Sequence, residues 1–154
     1  MIHGSSLLHI IREGKLNLDT EIDLVCHGDD LTDEIMDEFK KTYLAKIYPC
    51  KEKYGEMYLS SSKDLNVNFI ALTPLWNKNG HVYLGVIEND VIEWTNKELY
   101  DKSNWSTIKY LDREFKVPGD PKEYLKMWYG IDWETPKSCT WNNNENKKTW
   151  EELQ

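Results

Sequence analysis

Two acidic residues, Glu21 and Asp23, stand two positions apart in the stretch Glu21-Ile22-Asp23-Leu24. On an extended strand, residues i and i+2 point to one face, about 7 Å apart along the backbone. Carboxylates converging from such positions can share divalent metal ions. Upstream, Gly4-Ser5-Ser6 opens an apolar stretch that ends at Gly14. A Gly-Ser turn leading into a short helix presents backbone N–H groups that attract an anion. A phosphate cradle beside a metal pair suits metal-assisted chemistry on a phosphorylated nucleotide. The competing account of the acids is a solvated strand face, since acid-apolar-acid alternation produces that too. The turn favours chemistry, because a cradle and a metal pair are needed together. Asp19, just outside the strand, reads as a loop residue.

Arg12 is one of two arginines among many lysines. Its guanidinium fork suits phosphate better than a lysine point charge does. A cation near a helix C-terminus is equally favoured by the macrodipole, so both roles stay open. His3, His9, His27 and His81 show no metal spacing. With no Gly-x-Ser-x-Gly and no Cys/His dyad, nucleophilic hydrolase chemistry lacks support.

The elements that must position these groups follow from local signals. A helix is expected over 5–13, capped by Ser5 or Ser6 and stopped by Gly14. A strand over 20–26 turns Ile22, Leu24 and Cys26 one way and Glu21, Asp23 and Val25 the other. Ile35, Met36, Phe39, Tyr43 and Leu44 recur at helical spacing, which predicts a helix over about 32–46. Strands are expected over 54–60 and 65–72, with Pro74 breaking the latter run. Asn77-Lys78-Asn79-Gly80 marks a turn, after which 81–87 and 91–95 form a hairpin. Residues 108–117 are weakly extended. Asp120 caps a helix over 121–129, with Pro121 at its first position and Gly130 at its end. Tyr124, Leu125, Trp128 and Tyr129 form its apolar face. Trp133 is either core or a stacking surface for a base or sugar.

The 154 residues form one domain over 1–137, followed by a polar aromatic tail over 138–154 anchored by Trp141 and Trp150. A net charge of −8 argues against broad nucleic-acid binding, which needs a basic surface. Cys26, Cys50 and Cys139 have no zinc spacing and read as free thiols in a reducing compartment. With no membrane span and no signal peptide, a cytoplasmic location is expected.

Gly4-Ser5-x-Leu7-Leu8-x-x-x-Arg12-x-Gly14, followed by Glu21-Ile22-Asp23-Leu24, resembles the opening motif of the LicD/fukutin family. Phe115-Lys116-Val117-Pro118-Gly119-Asp120-Pro121-Lys122-Glu123-Tyr124-Leu125, then Tyr129-Gly130-Ile131-Asp132-Trp133-Glu134-Thr135-Pro136, resembles its end motif, closest to the fukutin branch. The resemblance implies a nucleotidyltransferase-like α/β (α+β) fold: a small mixed sheet flanked by helices. It implies transfer of a phospho-alcohol group, of the phosphocholine or ribitol-phosphate type, from a CDP-linked donor to a carbohydrate hydroxyl. It places Gly4, Ser5 and Arg12 at the donor phosphates, and Glu21 and Asp23 at Mg²⁺ or Mn²⁺, with Asp23 a possible acceptor-activating base.

Two departures bear on activity. The family's third carboxylate comes from a later strand, where Leu65-Asn66-Val67-Asn68-Phe69-Ile70 sets Asn68 instead. An amide is a poorer metal ligand and no carboxylate base. Asp64, Glu56 or Glu93 reaching the Glu21/Asp23 face would replace it. Failing that, the alternative is a catalytically degenerate nucleotide- or glycan-binding domain. The family's helix and strand ahead of the Gly-Ser turn also have only three residues here, which implies a shortened N-terminus.

Overall fold

The computed structural model describes residues 1–16, 21–48, 55–60, 69–78, 81–85, 91–95, 101–136 and 147–149. Helix α1 (Gly4–Glu13) leads into strand β1 (Glu21–His27), then α2 (Asp33–Thr42), β2 (Leu44–Ile47) and β3 (Met57–Ser60). Strands β4 (Phe69–Lys78), β5 (His81–Gly85) and β6 (Val91–Thr95) follow. A hairpin of β7 (Ser106–Tyr110) and β8 (Arg113–Val117) precedes α3 (Pro121–Tyr129), and β9 (Lys147–Thr149) comes last. The fold is mixed α+β, a mixed sheet flanked by helices, as expected.

Among the described residues the main sheet runs β2-β3-β4-β5-β6-β9, with β1 pairing to β4. The β1–β4 pairing is parallel and sets Asp23 beside Ala71; the other pairings of this sheet are antiparallel. Alternation along β1 sorts its two faces. Val25 joins a core of Leu7, Leu8 and Ile10 from α1 with Val117, Tyr124 and Leu125. Leu24 and Cys26 pack with Leu31, Met36, Met57, Leu59 and Leu72 under α2. Helices therefore cover both faces of the sheet. Burial pushes the Cys26 thiol up to about 11, which leaves it protonated and inert near neutral pH.

Several expectations change. The second helix stops at Thr42, and Leu44–Ile47 forms β2 instead. Tyr43 is already extended, and Leu44, counted as a core position, is 46% exposed. Aromatic and alternating residues here suit a strand edge more than another helical turn. Pro74 does not interrupt its strand. It falls between residues 69–72, which pair with β3, and 75–78, which pair with β5. At that changeover its missing N–H costs no ladder bond to either strand. Residues 108–117 form a full hairpin rather than a weakly extended run.

Helix α3 follows its local signals. Asp120 accepts from the N–H groups of Lys122 and Glu123, Pro121 opens the helix, and Gly130 closes it. Tyr124 and Leu125 are fully buried, Trp128 and Tyr129 pack partly buried against the same core, and Trp133 is core too. No helix of the described residues is long and apolar enough to cross a membrane. Asp19, Cys50, Asp64, Asn68, Cys139, Trp141 and Trp150 lie outside the described residues.

Candidate functional site

The Gly-Ser turn and the acid strand meet. Helix α1 has His3, not a serine, at its N-cap, and that residue offers no side-chain cap. The acceptor comes instead from β1. Asp23 Oδ2 accepts from the Ser5 hydroxyl at 2.6 Å and from the Ser6 N–H at 3.2 Å. In return the Asp23 N–H donates to Ser6 Oγ at 2.8 Å. A carboxylate at the positive end of a helix dipole is favourably placed. The two serines expected as caps therefore act as links from the helix to the strand.

Gly4 is required on two counts. Its φ is +56°, in the left-handed region, and a Cβ there would lie 2.9 Å from Asp23 Oδ2. The Gly4 N–H donates to the Tyr124 hydroxyl at 3.0 Å, and the same hydroxyl lies 2.9 Å from His3 Nδ1. Tyr124 thus carries the closing motif to the opening one. With the Gly4 N–H pointing at it, the phenol is free to donate its own proton to Nδ1, which fits a neutral imidazole. Burial lowers the His3 pKa to about 4, against the opposing pull of Asp23.

Glu21 lies on the same face of β1, one strand repeat from Asp23. Burial, and then the charge of Asp23, raise its pKa. A third carboxylate faces the pair from another strand. Glu56 directly precedes β3, and burial raises its pKa, with further upward push from Glu21 and Asp23. The Tyr58 hydroxyl donates to Glu56 Oε2 at 3.3 Å, and the Thr73 hydroxyl donates to the same carboxylate. Of the three acids named as replacements for the missing ligand, Glu56 is the one the structure brings to this face. Asp64 and the Glu93 side chain lie outside what is described. The alternation of Glu56, Tyr58 and Ser60 against Met57 and Leu59 was the available sequence signal.

Arg12 stands elsewhere. It is seven residues from Ser5, about 10 Å along the helix axis, and its guanidinium pairs with Glu13 at 2.6 Å. His9 also approaches Glu13, at 3.2 Å. His27 packs its ring 5.5 Å from that of Trp105, on the same strand face as the acids but two pairs of residues beyond Asp23.

The oxygen donors of Glu21 and Asp23 fit a hard divalent cation such as Mg²⁺ or Mn²⁺. The closeness of their two negative charges is what such a cation relieves. Among the described residues no three His, Cys, Asp or Glu side chains converge on one point. The pair would hold the ion with phosphate oxygens and water completing its shell, a common arrangement for Mg²⁺. The turn itself is partly occupied: the Gly4 and Ser6 N–H groups already have acceptors in Tyr124 and Asp23. The Ser5 N–H is its remaining donor without a partner among the described residues.

No protein-family model matches the chain, and no curated protein sequence matches it significantly.

Proposed function

We propose that the protein transfers a phospho-alcohol group from a CDP-linked donor to a carbohydrate hydroxyl, with Mg²⁺ or Mn²⁺ held by Glu21 and Asp23. The observation that carries this reading is the junction at Gly4. The two motifs of the LicD/fukutin resemblance meet there through the Tyr124 hydroxyl, 120 positions from Gly4. The nucleotidyltransferase-like character of the fold belongs to the same proposal.

Each residue then has a task. Tyr124 and Asp23 fix the turn, so that the Ser5 N–H, its one donor without a partner among the described residues, faces the donor phosphates without reorganising. Asp23 spends one oxygen on the helix and keeps the other for the metal, beside Glu21. A bound divalent cation would neutralise charge on the donor phosphoryl oxygens and on the departing nucleotide.

The occupied turn favours a second reading, a nucleotide- or glycan-binding domain without turnover. Two of its N–H groups already serve the protein, which leaves less for a phosphate. Calorimetric titration of the whole chain with CDP-ribitol and CDP-choline, with and without Mn²⁺, separates the cases. Metal-dependent donor affinity is expected in the wild type and is lost in Asp23→Asn, which keeps a carbonyl oxygen for Ser5 and Ser6. Equal affinity in the two proteins refutes the site. Metal-dependent binding without CMP release, even with glycan acceptors, favours the binding domain.

A further inference from the structure

Strand β2 ends the main sheet, with β3 on one side and, among the described residues, no strand on the other. Its hydrogen bonds have a fixed parity. The Tyr48 N–H donates to the Glu56 carbonyl at 3.1 Å, and the Gly55 N–H donates to the Tyr48 carbonyl at 2.8 Å. In an antiparallel ladder the backbone groups of alternate residues point to the same side. Leu44, Lys46 and Tyr48 therefore spend their N–H and C=O groups on β3. Ala45 and Ile47 turn theirs outward, and such an edge is a template for another strand.

Side chains make the edge apolar on both faces of the sheet. Leu44 shares the face of Glu21 through Ser60 and Phe69, and it is 46% exposed. On the opposite face Ala45 and Ile47 pack with Phe39 and Tyr43 under α2. Ile35, one helical turn before Phe39, is 40% exposed. Charge along α2 is directional: Asp33, Glu34, Asp37 and Glu38 precede Lys40 and Lys41. Within one chain Lys40 reaches Asp37 at 3.6 Å and Lys41 reaches Glu38 at 4.0 Å. Exposed pairs of this kind cost little to exchange for others.

We propose that β2 is the docking edge for a second copy of this chain, joined antiparallel about a two-fold axis through Ala45. The inference stands apart from the transfer reading. In this register the two Ala45 residues exchange N–H···O=C bonds, and each Ile47 N–H reaches the Tyr43 carbonyl of the second copy. Leu44 lies opposite Lys46 of the second copy, against its aliphatic stem. An axis through Lys46 would instead set two like charges directly opposite, which is destabilising. Lys46, the one charge of the strand, thus selects the register. The same rotation keeps both α2 helices on one face, antiparallel across the seam. The acidic start of each then faces the basic end of the other. An unrelated strand would find the backbone edge without this charge match, so the self-complementary partner fits best.

Sedimentation velocity of the whole chain across the micromolar range tests the proposal, with amide exchange followed by NMR. A short seam makes a weak complex, so a reversible monomer–dimer equilibrium with a micromolar Kd is expected. The Ala45 and Ile47 amides should gain protection as the dimer fills, while those of Leu44 and Lys46 stay protected at every concentration. Ala45→Pro removes the central outward donor and leaves the ladder to β3 intact. It is expected to melt like wild type and to weaken the dimer about tenfold. Leu44→Lys, set against Lys46 of the second copy, is expected to weaken it comparably, whereas Leu44→Glu should retain it. These two exposed substitutions decide the outcome if the proline variant fails to fold. A chain that stays monomeric throughout overturns the proposal. So does a dimer that protects neither Ala45 nor Ile47, or one on which Leu44→Lys and Leu44→Glu act alike.

Discussion

Helices α1 and α3 begin in opposite ways. Helix α3 carries its own cap: Asp120 accepts from N–H groups two and three residues on, and Pro121 fixes the first turn. Helix α1 imports its cap from β1, where Asp23 lies 17 residues from the Ser6 N–H it serves. A local cap stabilises one helix and nothing else. An imported cap joins a helix to a sheet and leaves a charged carboxylate standing at the joint. The Asp120 cap thus serves α3 alone, whereas at α1, on the proposed function, the same atoms would serve both stability and chemistry.

The sharpest way to break that contrast is to remove the two caps in turn. Asp23→Ala is expected to cost about 3 kcal/mol, because two charge-assisted bonds are lost and the buried Ser6 keeps an unsatisfied N–H. It is also expected to abolish Mn²⁺-dependent donor binding. Chemical denaturation and calorimetry on one preparation measure both. A loss of stability with donor binding intact would show that Asp23 is a cap alone.

Next comes the pH dependence of the joint. His3 is buried, and its folded pKa of about 4 lies below the ordinary value near 6.5. The unfolded chain therefore binds more protons between these values, so stability falls as pH drops from 6.5 toward 4. The expected loss is on the order of 3 kcal/mol. Glu21 and Glu56, whose folded pKa values are raised, act in the opposite sense. They withdraw stability as pH climbs through their folded values, above the ordinary carboxylate range. Urea titrations from pH 4 to 7 should show the acid-side slope in wild type and a flatter one in His3→Asn. Matching slopes would contradict a neutral, buried His3.

Gly4→Ala is a smaller change at the same place, expected to cost about 2 kcal/mol from the left-handed backbone and the close approach to Asp23. Its melting temperature and Mn²⁺ affinity should fall together. Asp120→Ala completes the comparison with the smallest effect, about 1 kcal/mol, and donor affinity should be unchanged. An Asp120 variant that weakened donor binding would show that α3 transmits strain to the turn through Tyr124.

The sequence disclosed what is encoded locally. Asp120-Pro121 and Gly130 mark α3, Gly14 marks the end of α1, and the alternation around Asp23 marks β1 and its two faces. It also paired the Gly-Ser turn with the acid strand, and the structure brings those residues together. What it hid depends on distance along the chain. No local pattern says that the Ser6 N–H seeks an acceptor on β1, so the serines read as caps. Pro74 read as a breaker because the changeover of its neighbouring strands cannot be seen in one dimension. Leu44 fitted a helical period that happens to continue into a strand. Arg12 suited a phosphate by its chemistry, but a helix of ten residues carries it away from the turn. Glu56 could be named as one of three candidate acids, and only the pairing of β3 with β4 selected it.

The segment 1–3 has a mechanical consequence. Its backbone exchanges hydrogen bonds with β1 at Asp23 and Val25, while the Ile2 N–H donates to Lys116 of β8. The outer hairpin is therefore riveted to the edge of the main sheet one residue from the imported carboxylate. A force that peels the hairpin outward would pull on Val117 in the core and, through Ile2, on the backbone beside Asp23.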